Sequence, residues 1–279
     1  MADVDANAGG SDVYQGKSAP AVAGTRGAMP GLPAVRAATW DDLKAALMAG
    51  WEDLKATPVL SLGVGAVCAL AGNAIFWMLD AGAMAALAWP AMAGFALVAP
   101  FAAVLCYEIS RRREQGQTVE TSELMAVVRA SASSQVLFQG FLTLFWLTFW
   151  LHIAWVLWAV FFGVQFSRFW DVAGDLFTTT HGLAFLVVGH ASGLFFAVVA
   201  FAMSAVTFPY LLDRDADCAT AMVVSFKTVF ASPVVMGGWA ALIAALLIAG
   251  SLPFLLGLVV VLPLLGHASW HLYRRLVGA

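Results

Sequence analysis

Six stretches of this 279-residue chain are each long and apolar enough to cross a lipid bilayer, and they fix most of what the chain can become. A hydrocarbon core about 30 Å thick takes roughly 20 residues of helix. The first stretch is Pro58–Leu79, closed by Asp80-Ala81-Gly82. The second is Met84–Tyr107, stopped by Glu108 and the run Arg111-Arg112-Arg113. The third, Val136–Phe166, is long enough to tilt or to outrun the lipid. The fourth is His181–Leu212, ended by Asp213-Arg214-Asp215. Val234–Gly250 and Leu252–Tyr273 follow, parted only by Gly250-Ser251-Leu252-Pro253, which suits a tight helical hairpin. Barrel strands alternate apolar and polar residues. These runs are apolar all round, and a helix pairs its own backbone groups in hydrocarbon.

The fold class that follows is all-α: a polytopic membrane protein with six transmembrane helices arranged as three hairpins. Composition agrees, with 62% hydrophobic and 11% charged residues against roughly 25% charged in soluble domains. That balance excludes a soluble enzyme, a nucleic-acid binder and a disordered chain. Residues 1–39 differ. They are rich in Ala, Gly, Pro and Asp, lack a long apolar run and do not read as a secretory signal. A disordered cytoplasmic tail is expected there, followed by a transmembrane domain over 40–277.

Thirteen of the fourteen basic residues fall on one side of this scheme. Lys17, Arg26, Arg36, Lys44 and Lys55 precede the first span; Arg111, Arg112, Arg113 and Arg129 separate the second from the third. Arg214 and Lys227 lie between the fourth and fifth, and Arg274 and Arg275 follow the sixth. Arg168 stands alone opposite. The positive-inside rule then puts both termini in the cytoplasm.

A helical stretch precedes each outward span. Trp40–Ala56 carries Trp40, Leu43, Leu47, Trp51 and Leu54 three or four residues apart, with Asp41, Asp42, Lys44, Glu52, Asp53 and Lys55 on its other faces. Thr121–Ser133 and Ala216–Phe230 are milder versions. Helices of this kind lie in the membrane interface. The junctions align as an internal repeat: Pro58, Gln135 and Pro233 are each followed five residues later by Gly63, Gly140 and Gly238. Proline starts a helix without losing a hydrogen bond, and the glycines would admit a neighbouring helix.

Chemistry-bearing residues are few. Cys68, Cys106 and Cys218 form no C-x-x-C pair and read as apolar fillers. His267 and His271 share a helix face, a spacing that could grip a metal or haem. No acidic residue lies near them in sequence to complete a site, so they read instead as part of an interfacial belt. His152 and His190 could pair across the third and fourth spans. Glu108 reads as a helix-surface ion pair with Arg112, and Asp213, Arg214 and Asp215 as a charged turn, with Asp215 or Asp217 capping the next helix. Arg111, Arg112, Arg113, Arg274 and Arg275 are candidate contacts to lipid headgroups. No nucleophile elbow, P-loop, dinucleotide fingerprint or metalloprotease motif occurs, so no catalytic residue, cofactor or resident metal is expected.

Three runs in order, Pro100–Gly116, Leu211–Asp217 and Leu262–Arg275, resemble the bacterial integral-membrane family called domain of unknown function 2189. The likeness extends from about Ala38 to Val277. It implies a multi-pass inner-membrane protein of Gram-negative bacteria and brings no activity with it. Some relatives carry the label of cytochrome c oxidase subunit I, a subunit with twice the spans and several intramembrane histidine ligands. The histidines here do not match those ligand motifs, leaving at most an accessory association with a respiratory complex. The expectation is a non-enzymatic accessory, assembly or membrane-organising protein whose partners are lipid, anionic lipid, another membrane protein or a second copy. Transport of a small or lipidic substrate is the alternative.

Overall fold

The computed structural model of the chain describes residues 32–82, 84, 87, 103–119, 134–164, 169–252 and 254–277. Residues 1–31 of the expected tail, most of the second span and the helical stretch at Thr121–Ser133 lie outside the described residues, whereas 32–39, read as part of a disordered tail, are held in place, the Arg36 amide donating to the Leu276 carbonyl at 2.8 Å. Those described form ten helices and no strand. They are α1 (Trp40–Ala56), α2 (Pro58–Ala81), α3 (Val104–Glu114), α4 (Ser134–Phe162), α5 (Phe169–Thr178), α6 (Thr180–Ser204), α7 (Thr207–Asp213), α8 (Cys218–Ala231), α9 (Pro233–Ser251) and α10 (Leu258–Leu276).

Helix α10 is the hub, with α1, α2, α3 and α9 packed around it. Helix α1 starts at a capping box: Thr39 Oγ1 accepts from the Asp42 amide, and Asp42 Oδ2 accepts from the Thr39 amide at 2.9 Å. Its buried face is Asp42, Leu43, Ala46, Gly50, Asp53 and Leu54. The apolar stripe read from sequence is therefore only partly the packed one. Leu43 and Leu54 are buried, Trp40 and Trp51 stay exposed, and two of the supposed outer-face charges, Asp42 and Asp53, turn inward. The cause is Gly50, where a Cβ would stand 2.6 Å from the Ala268 amide nitrogen, so α1 lies directly on the α10 backbone.

Helix α2 meets α10 through a stripe of small residues, Ser61, Gly65, Ala69 and Gly72. The glycine that admits the neighbour is Gly65, whose Cβ would collide with the Val259 carbonyl; Gly63 faces open space. At the third expected copy, Gly238 lies under the Trp40 ring. The two junctions share a backbone shape: Thr57 (φ −130°, ψ 53°) and Ser232 (φ −150°, ψ 66°) each turn the chain into a helix led by proline.

Helices α4 and α6 run antiparallel, held by rings that meet along their length. Trp150 and Phe196 have centroids 5.3 Å apart, Trp158 and Phe185 5.8 Å, and Trp146 Nε1 donates to the Phe196 carbonyl at 3.0 Å. The connection before α6 contains a short helix of its own, α5. The fourth stretch breaks between α6 and α7, because Pro209 has no amide to offer the Ala205 carbonyl. Asp217 rather than Asp215 caps α8, accepting from the Thr220 amide at 2.8 Å.

Among the described residues, four helical stretches are long and apolar enough to cross a membrane: Pro58–Ala81, Gln135–Phe162, Thr180–Asp213 (α6 continued by α7) and Pro233–Ser251. The expected sixth span corresponds to α10, which does not join them, because His267, His271, Arg274 and Arg275 interrupt its apolar run and most of its second half is buried in protein. Six residues, rather than a bare turn, separate α9 from α10, and Gly257 is stacked on the backbone of Gly250.

The Arg36 guanidinium donates to Asp42 Oδ1 at 2.7 Å and holds that carboxyl at about 2, below its ordinary 3.8. A depressed value stabilises the fold above the ordinary value and ceases to do so as pH falls through the depressed one. The first turn of α1 is therefore expected to loosen between about pH 4 and pH 2. Amide exchange at Leu43 and Lys44 should rise in that window in the wild type, while D42N should exchange at the faster rate already at neutral pH.

Candidate functional site: a buried polar chain between four helices

The densest buried polar cluster has His267 at its centre. The side chains of His267, Ser61 and Ser110 are wholly buried. Each reaches the cluster for a local reason. Ser61 opens the small-residue stripe of α2, and Ser110 faces inward from α3. His267 follows Gly266, where α3 comes so close that a Cβ would sit 2.7 Å from Cys106 Cβ.

The His267 Nε2 atom lies 2.9 Å from Ser61 Oγ, and Nδ1 lies 2.8 Å from Ser110 Oγ. Ser110 Oγ donates to Asp53 Oδ2 at 2.5 Å. The same Asp53 oxygen meets His271 Nε2 at 2.8 Å, and Arg113 Nη1 stands 3.3 Å from Oδ1. At the far end, Ser61 Oγ contacts Thr57 Oγ1 at 3.0 Å, and Thr57 Oγ1 donates to the Asp53 carbonyl at 2.9 Å. Burial pushes the Asp53 carboxyl up, but the hydrogen bonds from His271 and Ser110 outweigh it and hold the group below its ordinary value.

Paired charges surround this chain. Glu108, fully buried, accepts from Arg111 Nε at 2.7 Å and Nη2 at 3.0 Å, and from Arg112 Nε at 2.7 Å. The pair expected with Arg112 is there, buried rather than on the surface and shared with Arg111. Glu114 accepts from Trp270 Nε1 and Arg274 Nε, both at 3.1 Å. Asp213 Oδ2 accepts from Tyr273 Oη at 2.6 Å and Arg274 Nη1 at 3.2 Å. Arg275 Nη1 lies 3.8 Å from Asp42. All five arginines expected to meet lipid headgroups therefore already have a carboxylate.

The other residues read from sequence are not gathered here. His152 and His190 each donate from Nδ1 to the carbonyl four residues back, Thr148 and Leu186, at 2.7 Å, and both face outward. Arg214 lies over the Tyr210 ring, 5.8 Å from its centroid, and 4.0 Å from Asp213. Asp215 takes no part in the cluster's bonds described above. Both ring nitrogens of His267 are engaged by serines and Nε2 of His271 by Asp53, so the histidine pair presents a hydrogen-bonded face. No group of three or more His, Cys, Asp or Glu among the described residues could hold a metal ion. Sequence reasoning missed Asp53, Thr57, Ser61 and Ser110; the one signal was the small-residue spacing that begins at Ser61.

Long apolar helices, with charges gathered and paired around α10, define an integral membrane protein of the α-helical type. Residues 88–213 match the model of the family described as "Predicted integral membrane protein (DUF2189)", so the chain carries that family's segment. This is the family its three motifs resemble. The match takes in Pro100–Gly116 and reaches Asp213 of the second motif, while Leu262–Arg275 lies beyond it. No curated protein and no solved structure matches the chain.

Proposed function

We propose that this chain is a non-enzymatic protein of the bacterial inner membrane with an accessory, assembly or membrane-organising role. One observation carries the reading. The four apolar helices bury only 11–22% of their most apolar windows within the chain. Their surface is thus offered to lipid or to a neighbouring membrane protein, while the polar groups turn inward on one another. Purification from native membranes in mild detergent is expected to recover a protein partner, a second copy or enriched anionic lipid. A clean monomer carrying bulk lipid overturns the reading.

The proposed topology has six spans in three hairpins, α1 and α8 in the cytoplasmic interface, and both termini inside. The matched bends at Thr57 and Ser232 support an internal repeat of interfacial helix, bend and span. Reporter fusions at the two ends should both give the cytoplasmic signal, and opposite signals refute the scheme.

A second reading, transport of a small or lipidic substrate, is favoured by the polar chain that enters α2 at Ser61. Flux in proteoliposomes that falls in S61A and E108Q supports it; flux indifferent to both removes it.

A further inference from the structure

Five hydrogen-bond contacts link Asp53, Ser110, His267, Ser61 and Thr57, and each needs one proton. The three hydroxyls supply three. A neutral imidazole adds one, leaving one contact without a hydrogen. An imidazolium adds two and satisfies all five in a single arrangement. His267 Nδ1 then donates to Ser110 and Nε2 to Ser61; Ser110 donates to the Asp53 carboxylate, Ser61 to Thr57, and Thr57 to the Asp53 carbonyl. The cluster has room for one more proton.

It also has an entrance. The His271 side chain is 20% exposed and touches Asp53 Oδ2, so a continuous hydrogen-bonded path runs from a partly exposed imidazole to a wholly buried one. The ionisable groups facing His267 are Asp53 on α1, Arg113 on α3 and His271 one turn along α10, with α3 also facing it through the Cys106 backbone and α2 through the Ser61 hydroxyl.

We propose that His267 is a proton-accepting site, loaded from His271 through Asp53 and Ser110. In the loading step His271, having taken a second proton from the solvent side, breaks its Nε2–H bond as an Asp53 Oδ2–H bond forms, and is left neutral with its remaining proton on Nδ1. That proton passes to Ser110 Oγ as the Ser110 hydroxyl proton moves to His267 Nδ1. Asp53 ends as a carboxylate accepting from Ser110, and His267 ends protonated on both nitrogens; no electron changes hands. Because the chain ties α1, α2, α3 and α10 together, proton uptake tightens the packing of α1 on the hub. The inference is independent of both functional readings above.

The test is nitrogen-15 NMR of the full-length protein, labelled at histidine and reconstituted in nanodiscs, titrated between pH 4 and 9. H267Q identifies the His267 signals. They are expected to pass from one protonated nitrogen to two as pH falls. S61A and S110A each remove an acceptor for the imidazolium and are expected to lower the midpoint by about one pH unit. D53N removes the carboxylate and the route of entry, and should lower it further and slow the exchange. H152Q, whose residue bonds only its own helix, should leave the midpoint where it is. A His267 signal that keeps one protonation state throughout, or a midpoint unmoved in S61A, S110A and D53N alike, overturns the proposal.

Discussion

Gly65→Val is expected to lower the unfolding midpoint more than any other single addition of three carbons to α2. A Cβ at Gly65 would strike the Val259 carbonyl and stand 2.8 Å from the Val259 Cα. Those are backbone atoms of α10, so no rotamer change relieves the clash, and the two helices must separate. Added bulk in a packed interface costs typically 1–3 kcal/mol, and a backbone collision belongs at or above the top of that range, about 3 kcal/mol. The separation also acts on the polar chain, since Ser61 lies one turn away on the same face of α2 and bonds His267 of the same partner helix. Unfolding in detergent, followed by near-ultraviolet circular dichroism, reads the loss. Gly63→Val is the control. Its Cβ meets nothing within 4 Å, so its midpoint should lie within about 0.5 kcal/mol of wild type. Equal losses in the two variants refute the packing argument and leave helix propensity as the cause.

The contrast between Gly63 and Gly65 marks the boundary of what the sequence discloses. That these runs are membrane helices is legible, because length and hydropathy are properties of a segment alone. Which face of α2 meets which face of α10 depends on the partner, and the repeat alignment chose the wrong glycine by two positions. Helix α10 meets the same boundary from another side. A run that is apolar and then turns polar resembles a span with an interfacial end, yet here its polar end is wrapped by α1 and α3. Hydropathy does not distinguish burial by lipid from burial by protein.

The candidate site was half legible. The four-residue spacing of His267 and His271 is local and was read correctly as a shared face. Their acid, Asp53, stands more than two hundred positions away and looked like a solvated charge on α1, because nothing near it in sequence shows that Gly50 presses that helix onto α10. Ser110 carries no signature, and Ser61 only its place at the head of a small-residue stripe. A serine in an apolar run is ordinarily a hydroxyl bonded to its own helix, as Ser204 is to the Ala200 carbonyl at 2.6 Å. Only a tertiary contact turns such a residue outward to a histidine.

Glu108→Leu is the variant expected to separate charge from shape in the polar end of the molecule. The Glu108 side chain is wholly buried and is the common acceptor of Arg111 and Arg112, whose side chains are 30% and 17% exposed. Leucine is close to glutamate in volume, so the substitution leaves no large cavity and removes the countercharge. Taking one partner from a buried ion pair costs about 3–5 kcal/mol, because the surviving charge stays desolvated. Here both guanidiniums keep a route to water or to a lipid phosphate, so the lower end, about 3 kcal/mol, is expected. Glu108→Gln keeps a carbonyl acceptor and should lose less than half as much. The wild-type midpoint should also change little between low and high salt, because a buried pair is weakly screened. The ordering wild type, E108Q, E108L in the unfolding midpoint supports a charge-neutralising role for Glu108. Equal losses in E108Q and E108L make the site a matter of carboxylate shape. No loss in either shows that Glu108 does not neutralise Arg111 and Arg112, and the inward-facing account of the polar end fails with it.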